Sequence, residues 1–225
     1  GSKAWVVGAI GSHGFLVVAE QDDGPVLVLA EADAQGLVID KRTQADGSSL
    51  GELSFSGTPA AELASSGAVL TALAEAVADA TALAAAELVG LSERAFEITL
   101  DYIKTREQFD KPIGSFQVIQ HRAVDLNVMC EVAQAGVREA LAQMDSETDP
   151  KVRAPIASRA KARAVTAAKR ITRDAIQLHG AVGYTDEFDI GLYLNRALVL
   201  SAWLGDDAYH RRIWFEAREA EGAAQ

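Results

Sequence analysis

Arg106-Glu107-Gln108-Phe109-Asp110-Lys111-Pro112-Ile113-Gly114-Ser115-Phe116-Gln117 separates two long stretches of helical apolar period, and its reading decides what surrounds it. Arg106 closes the first stretch, and a planar guanidinium suits a bidentate grip on a phosphate. Phe109 offers a flat apolar face to an adenine or a ribose. Pro112 and Gly114 stop a helix from running through, Ser115 is a candidate N-cap for the next helix, and Gln117 falls in that helix's first turn. A nucleotide site fits these residue types. So does a plain helix–helix turn whose terminal arginine faces the helix dipole, which is what composition alone favours.

Upstream, Leu70, Leu73, Val77, Ala80, Ala84, Leu88, Leu91, Ala95, Ile98 and Tyr102 recur at alternating spacings of three and four, which predicts one helix from 68 to 105 with a single buried seam. Gly90 interrupts it and is expected at a close helix crossing. Downstream, Ile119, Ala123, Leu126, Cys130, Ala133, Val137, Ala140 and Met144 form a second seam. Cys130 lies on it, as a small core residue rather than a reactive thiol. The polar segment 145–155 contains two prolines and is expected to be a loop. A third seam follows on Ile156, Ala160, Ala164, Ala167, Ile171, Ala175 and Leu178.

Between Lys151 and Arg173 stand eight Lys or Arg and no acid. They read as a solvated face, or else as a surface for an acidic partner helix or a phosphate-bearing ligand. Gly180 and Gly183 end the third helix. A shorter one spans 189–203, and Asp206 is placed to cap the last, which runs to about Glu221.

Before all this, 4–7, 14–19, 25–30 and 51–55 read as strands separated by Gly, Asp and Ser turns. So few strands cannot close a core alone. Gly8, Gly11 and Gly14 have the wrong spacing for a dinucleotide fingerprint and no helix after them, so they form a loop. The expected fold is mainly α: a partial antiparallel β domain over residues 1–60, then an up-down bundle of about four or five helices over 61–225.

Composition narrows the classes of function. A formal net charge of −11 argues against nucleic acid, whose phosphates need a basic footprint. One cysteine allows no internal disulfide and fits a reducing, cytoplasmic setting. No uncharged apolar run reaches the roughly eighteen residues of a membrane span, and no signal-peptide pattern opens the chain. The nearest approach to a di-iron pattern is a single Asp207-x-x-His210, and there is no serine-hydrolase elbow.

Two motifs together resemble one family. Arg106-x-x-Phe109-x-x-Pro112-Ile113-Gly114-x-Phe116-Gln117 and, downstream, Gln177-Leu178-His179-Gly180-Ala181-Val182-Gly183-Tyr184-Thr185 are similar to two signatures of the acyl-CoA dehydrogenases. That resemblance implies a C-terminal helical domain, FAD as cofactor and an acyl-CoA thioester as substrate. It implies that Arg106, Phe109 and Gln117 hold the ADP half of a flavin bound mainly to a neighbouring subunit, with Gln108 where the family has a small hydroxyl residue. Gln177 and the backbone of His179, Gly180 and Ala181 would touch the same ADP moiety. Lys3-Ala4-Trp5-Val6-Val7 resembles the strand behind the flavin ring, which makes Trp5 a flavin contact. The family's first helical domain has no counterpart here, so the chain is expected to be processed, engineered or naturally shortened.

The departures from the family pattern matter as much. The reaction needs a carboxylate to take the α-proton while a hydride leaves the β-carbon. The family's two alternative base positions fall on Leu204 and Ala80, and neither side chain accepts a proton. Val7 stands where a threonine usually bonds the flavin ring. The resemblance with these departures implies one subunit of a hetero-oligomer whose homologous partner supplies the base, as in bacterial dehydrogenases of bulky acyl chains such as steroid side chains. The alternatives are a self-sufficient homo-oligomer whose base has moved to Asp206, Asp207, Glu75 or Asp79, and a purely structural helical module.

Overall fold

The computed structural model describes residues 1–65, 67–185 and 187–223. They form two compact units, Gly1–Ala74 and Glu75–Gln225, each described by itself.

The first unit holds six antiparallel strands in two three-stranded sheets. β1 (Ser2–Val7), β5 (Ser49–Phe55) and β4 (Leu37–Thr43) make one; β2 (Gly14–Gln21), β3 (Gly24–Glu31) and β6 (Ala61–Ser65) make the other. In β2 the alternation that marks a half-buried strand is plain, since Phe15 and Val17 are buried and Leu16 between them is exposed. These two side chains pack with Ala9, Leu53 and Val28 as a small core. Four of the six strands are the expected ones. The others, β4 and β6, carry too little apolar alternation to read from sequence: β4 turns polar after Ile39, and β6 is exposed along its length. Both are edge strands held by backbone pairing rather than by a buried face.

Helix α1 (Gly67–Thr105) runs unbroken as expected, but only part of its seam is buried. Ala84, Leu88 and Ala95 lie in the core, whereas Leu70, Leu73 and Val77 are exposed. Nothing stands within 4 Å of the place a Cβ on Gly90 would take, so this glycine marks no close crossing. By length and composition α1 is apolar enough to cross a membrane, a property that counting only uncharged runs does not reveal. Its residues from Ala78 to Ile103 supply much of the helical core.

α2 (Gln117–Ser146) buries the predicted seam, from Ala123 to Met144. Its N-cap is Phe116, not Ser115, because a 3-10 turn over Ile113–Ser115 takes up the intervening residues. α3 (Pro150–His179) starts earlier than expected. Pro150 fits the first helical position, where no N–H is needed, and Asp149 caps it by accepting from the Lys151 N–H at 2.9 Å. Pro155 is then accommodated inside the helix, so the loop shrinks to 147–149. α4 (Ile190–Ala202) and α5 (Asp207–Ala223) complete the bundle, with Asp206 capping α5 through the Tyr209 N–H at 2.8 Å.

α3 is the central helix. It packs against α2, α4 and α5, and most of its circumference is buried. Small side chains make this possible: Ala160, Ala164, Ala168 and Ala175 let the neighbouring backbones come close.

Candidate flavin clamp and the vacant base positions

The quoted stretch folds as a hairpin. β7 (Glu107–Gln108) pairs with β8 (Lys111–Pro112), Glu107 opposite Pro112 and Gln108 opposite Lys111. The two residues between them, Phe109 and Asp110, both have left-handed backbone, φ 57° and 63°. Two consecutive positive φ values are the mark of a type I′ turn, which ordinarily carries Asn-Gly. A phenylalanine there is strained. It leaves the Phe109 ring 86% exposed, touching Phe116 edge-on at 6.1 Å, while the Lys111 ammonium sits 4.3 Å above the Phe116 ring.

The hairpin is fixed to the end of α1. The Arg106 N–H donates to the Tyr102 carbonyl and the Ile113 N–H to the Arg106 carbonyl, both at 2.8 Å. Gly114 lies against the last turn of α1, where a Cβ would come within 2.8 Å of the Ile103 carbonyl oxygen. That approach admits only glycine and sets where α2 begins. Arg106, Gln108 and Gln117 are all exposed, and Gln108 donates locally to the Glu107 carbonyl at 2.8 Å.

The second motif forms the end of α3 and the 3-10 turn after it. Gln177 is exposed, Gly180 caps the helix with φ 64°, and Gly180 and Ala181 are open to solvent. His179 points inward. Its ring is stacked 4.3 Å from Tyr102 and lies 4.7 Å from Phe188. Nδ1 is 2.7 Å from the Ala175 carbonyl and therefore carries the proton, leaving Nε2 buried with no hydrogen-bond partner in the structure. Burial lowers its pKa, against the pull of the Ala175 carbonyl. It is a structural ring, packed between Tyr102 and Phe188.

Tyr102 joins the two motifs. It stacks on His179 and donates from its hydroxyl to the His179 carbonyl at 3.3 Å, four residues before Arg106. Neither Tyr102 nor Phe188 stands out in the sequence as a site residue, because an aromatic at a seam position looks like core. Trp5 belongs to the other unit: its indole is 69% exposed on β1, at φ 60°, where the pairing with β5 shifts register.

The two positions at which the family resemblance expects a base carry no acid. Ala80 is half-buried on α1. Leu204 sits in the turn between α4 and α5, half-buried, with φ 61°. Three of the four carboxylates near them in sequence have partners, and Glu75 is exposed on α1. Asp79 pairs with Arg153. Asp207 pairs with Lys169 at 3.5 Å and Arg211 at 3.7 Å, and Asp206 caps α5. Cys130 is no substitute, because burial first, then Glu93 and Glu131, push its thiol up to about 11. The structure shows no group of three or more His, Cys, Asp or Glu arranged to hold a metal among the described residues.

The basic run of α3 divides. Arg153, Arg159, Lys169 and Arg170 face acids at the surface, as a solvated face would. Lys161 does not: it is 0% exposed and donates to the Trp203 carbonyl at 2.8 Å. Counting charges hides it, but its place on the line Ala157, Lys161, Val165, Ala168, Thr172, Ile176 is a second seam at helical period.

Comparison with known proteins agrees with this architecture. The family description "Acyl-CoA dehydrogenase, C-terminal domain" matches residues 70–217. The acyl-CoA dehydrogenase IpdE2 of Mycolicibacterium smegmatis is 39% identical over 113 residues, half of this chain and 34% of that protein. FadE27 of Mycobacterium tuberculosis is 28% identical over 184 residues, 80% of this chain and 49% of that one. Among solved structures, a variant of the Tcur3481–Tcur3483 steroid ACAD superposes over the whole chain and 60% of its own, with a TM-score of 0.87 and 29% identity. The ChsE4–ChsE5 complex of M. tuberculosis shares the fold at TM-score 0.83 and 24% identity, over the whole chain and 59% of its own. The chain thus spans between 34% and 60% of the length of these proteins.

Proposed function

Because the chain belongs to the acyl-CoA dehydrogenase family, we propose that it is one subunit of a flavin-dependent acyl-CoA dehydrogenase, that it contributes the ADP side of the flavin site, and that a homologous subunit contributes the base. The observation that carries this reading is the contrast between the two ends of the site. The hairpin and the end of α3 are built and tied together through Tyr102, while Leu204 and Ala80 are apolar and Asp79, Asp206 and Asp207 beside them are ion-paired or capping.

The residues suit FAD. An exposed guanidinium at Arg106 matches a pyrophosphate, the exposed Phe109 ring matches the flat adenine or ribose, and Gln117 and Gln177 bring amides able to bond ring nitrogens or hydroxyls. At Gly180, nothing lies within 4 Å of the place a Cβ would take, so a ligand can approach the backbone there. When bound, FAD accepts the hydride leaving the β-carbon. By the resemblance, Trp5 is a candidate contact of a flavin ring. That two structural neighbours are named as pairs, Tcur3481–Tcur3483 and ChsE4–ChsE5, supports a hetero-oligomer, and the word steroid in one of them makes a bulky acyl-CoA the substrate class to try first.

The test is visible absorbance. Purified alone, the chain is expected to be colourless. Co-expressed with a second dehydrogenase-like subunit, it is expected in a yellow complex, from which Arg106→Ala weakens flavin retention by about ten- to a hundred-fold, the worth of a charge-assisted contact. A chain that alone binds FAD stoichiometrically and oxidises an acyl-CoA overturns the proposal.

A further inference from the structure

The turn 203–206 is held in a conformation that its residues do not choose. Leu204 has φ 61°, a left-handed backbone that costs a non-glycine residue roughly 1–2 kcal/mol. Gly205 follows at φ 112°, with the Tyr209 ring so close that a Cβ would meet it at 2.3 Å. Strain of this kind persists only where the surroundings over-determine it. What surrounds this turn is a buried polar group beneath it. The Lys161 ammonium donates to the Trp203 carbonyl at 2.8 Å from a side chain with no exposed surface. His210 is 2% exposed, with Nδ1 3.0 Å from the buried Ser158 hydroxyl and its ring facing the Leu204 and Gly205 backbone.

A lysine is an expensive choice for a core. Burial alone lowers its pKa, to about 8, and no carboxylate among the described residues is paired with it. A methionine or leucine would fill the same volume without that cost. What the ammonium adds is a donor at the end of a four-carbon stem, delivered to the Trp203 backbone carbonyl at the start of the turn.

We infer that Lys161 is the positioning residue of this turn: it fixes the Trp203 carbonyl, thereby holds residue 204 in left-handed backbone, and so keeps the direction of that side chain constant. Resting on the reading above that 204 is a base position, the inference means that the platform for a base is intact and only the carboxylate is missing.

The primary test is amide hydrogen exchange on the full chain in its assembled complex. Lys161→Met keeps the stem and removes the donor. It is expected to speed exchange at Gly205 and Tyr209 by roughly ten- to a hundred-fold, while α2 amides such as Ala133 and Val137 are unchanged. Lys161→Arg, which keeps a donor, is expected to restore protection. Unchanged exchange at the turn, or an equal rise throughout the unit, overturns the inference. If Lys161→Met does not fold, Lys161→Met with Leu204→Gly is expected to recover folding, since glycine needs no post to hold a positive φ. Failure of that rescue also overturns it.

A second arm separates the inference from the reading it rests on. Leu204→Glu, in a complex whose partner subunit has had its own base removed and whose flavin has been reduced, is expected to exchange the α-protons of butyryl-CoA in deuterium oxide: the new carboxylate takes the proton and returns a deuteron, and with no oxidised flavin to take a hydride there is no net oxidation. Loss of that exchange on adding Lys161→Met supports the positioning role, and its survival overturns it. No exchange at all, with the turn still loosened by Lys161→Met, removes the base-position reading and leaves the role of Lys161 as amide exchange has decided it.

Discussion

The His210 imidazole lies under the same turn, and its environment gives it a definite pH behaviour. Burial first, then the positive charge of Lys161, lower its pKa to about 4, against the pull of Asp206 and of the Leu204 and Gly205 backbone. In the unfolded chain it titrates near 6.5. Between these values the unfolded state binds a proton that the folded state refuses, so stability is full above 6.5 and falls as the pH drops towards 4. The slope from this residue is at most about 1.4 kcal/mol per pH unit. His179 is shifted in the same direction. Urea midpoints measured at steps between pH 7 and pH 4.5 are expected to decline, and His210→Gln, which keeps a polar group near Ser158 but cannot titrate, is expected to flatten the decline. An equal slope in the variant would assign the acid sensitivity elsewhere. Neither His210 nor Lys161 was legible in the sequence as part of one group. They lie 49 positions apart, since 210 − 161 = 49, and only the packing of α5 on α3 brings them together.

At the level of elements, the hairpin and its seat against α1 make the sharpest prediction. Gly114→Ala would put a methyl within 2.8 Å of the Ile103 carbonyl, a backbone atom that cannot swing aside. It is expected to cost about 1–3 kcal/mol, the usual range for overpacking, and to displace the hairpin, so that flavin retention in the complex falls with it. A glycine-to-alanine change at Gly90, where space is open, is expected to stabilise α1 by up to about 1 kcal/mol; thermal melts of the two variants should move in opposite directions. The seams of α2 and α3 were legible because a helix buried on one side writes its period into the sequence, as Ala123, Leu126, Cys130, Ala133 and Val137 do. Sequence could not show where α3 starts, because Pro155 inside a helix looks the same as Pro155 in a loop until Pro150 and Asp149 are seen to begin the helix ahead of it. Nor could it show a type I′ turn at Phe109 and Asp110, since Asp tolerates left-handed backbone but Phe does not favour it.

For the whole molecule, the competing idea of self-sufficiency can be tested on the acids left near the vacant base positions. Asp206→Asn and Asp207→Asn are each expected to leave turnover of the assembled complex within about two-fold of the parent, since Asn still caps a helix and a surface ion pair is worth little. Loss of turnover with the flavin spectrum intact would put the base in this chain after all. The central place of α3 has a further consequence, in the order of folding. α2 and α3 are joined through the short segment 147–149 and pack along their length, so the chain closes only a small loop to bring them together. α4 and α5 can dock only on a surface that α3 must already present. Helix pairing nearest in sequence is expected to carry the transition state, and the later elements to govern how fast the molecule comes apart. A glycine at Ala164 should therefore act mainly by slowing refolding and one at Ala197 mainly by hastening unfolding, so that the lifetime of the folded chain is set at its C-terminal helices while its speed of formation is set at α2 and α3.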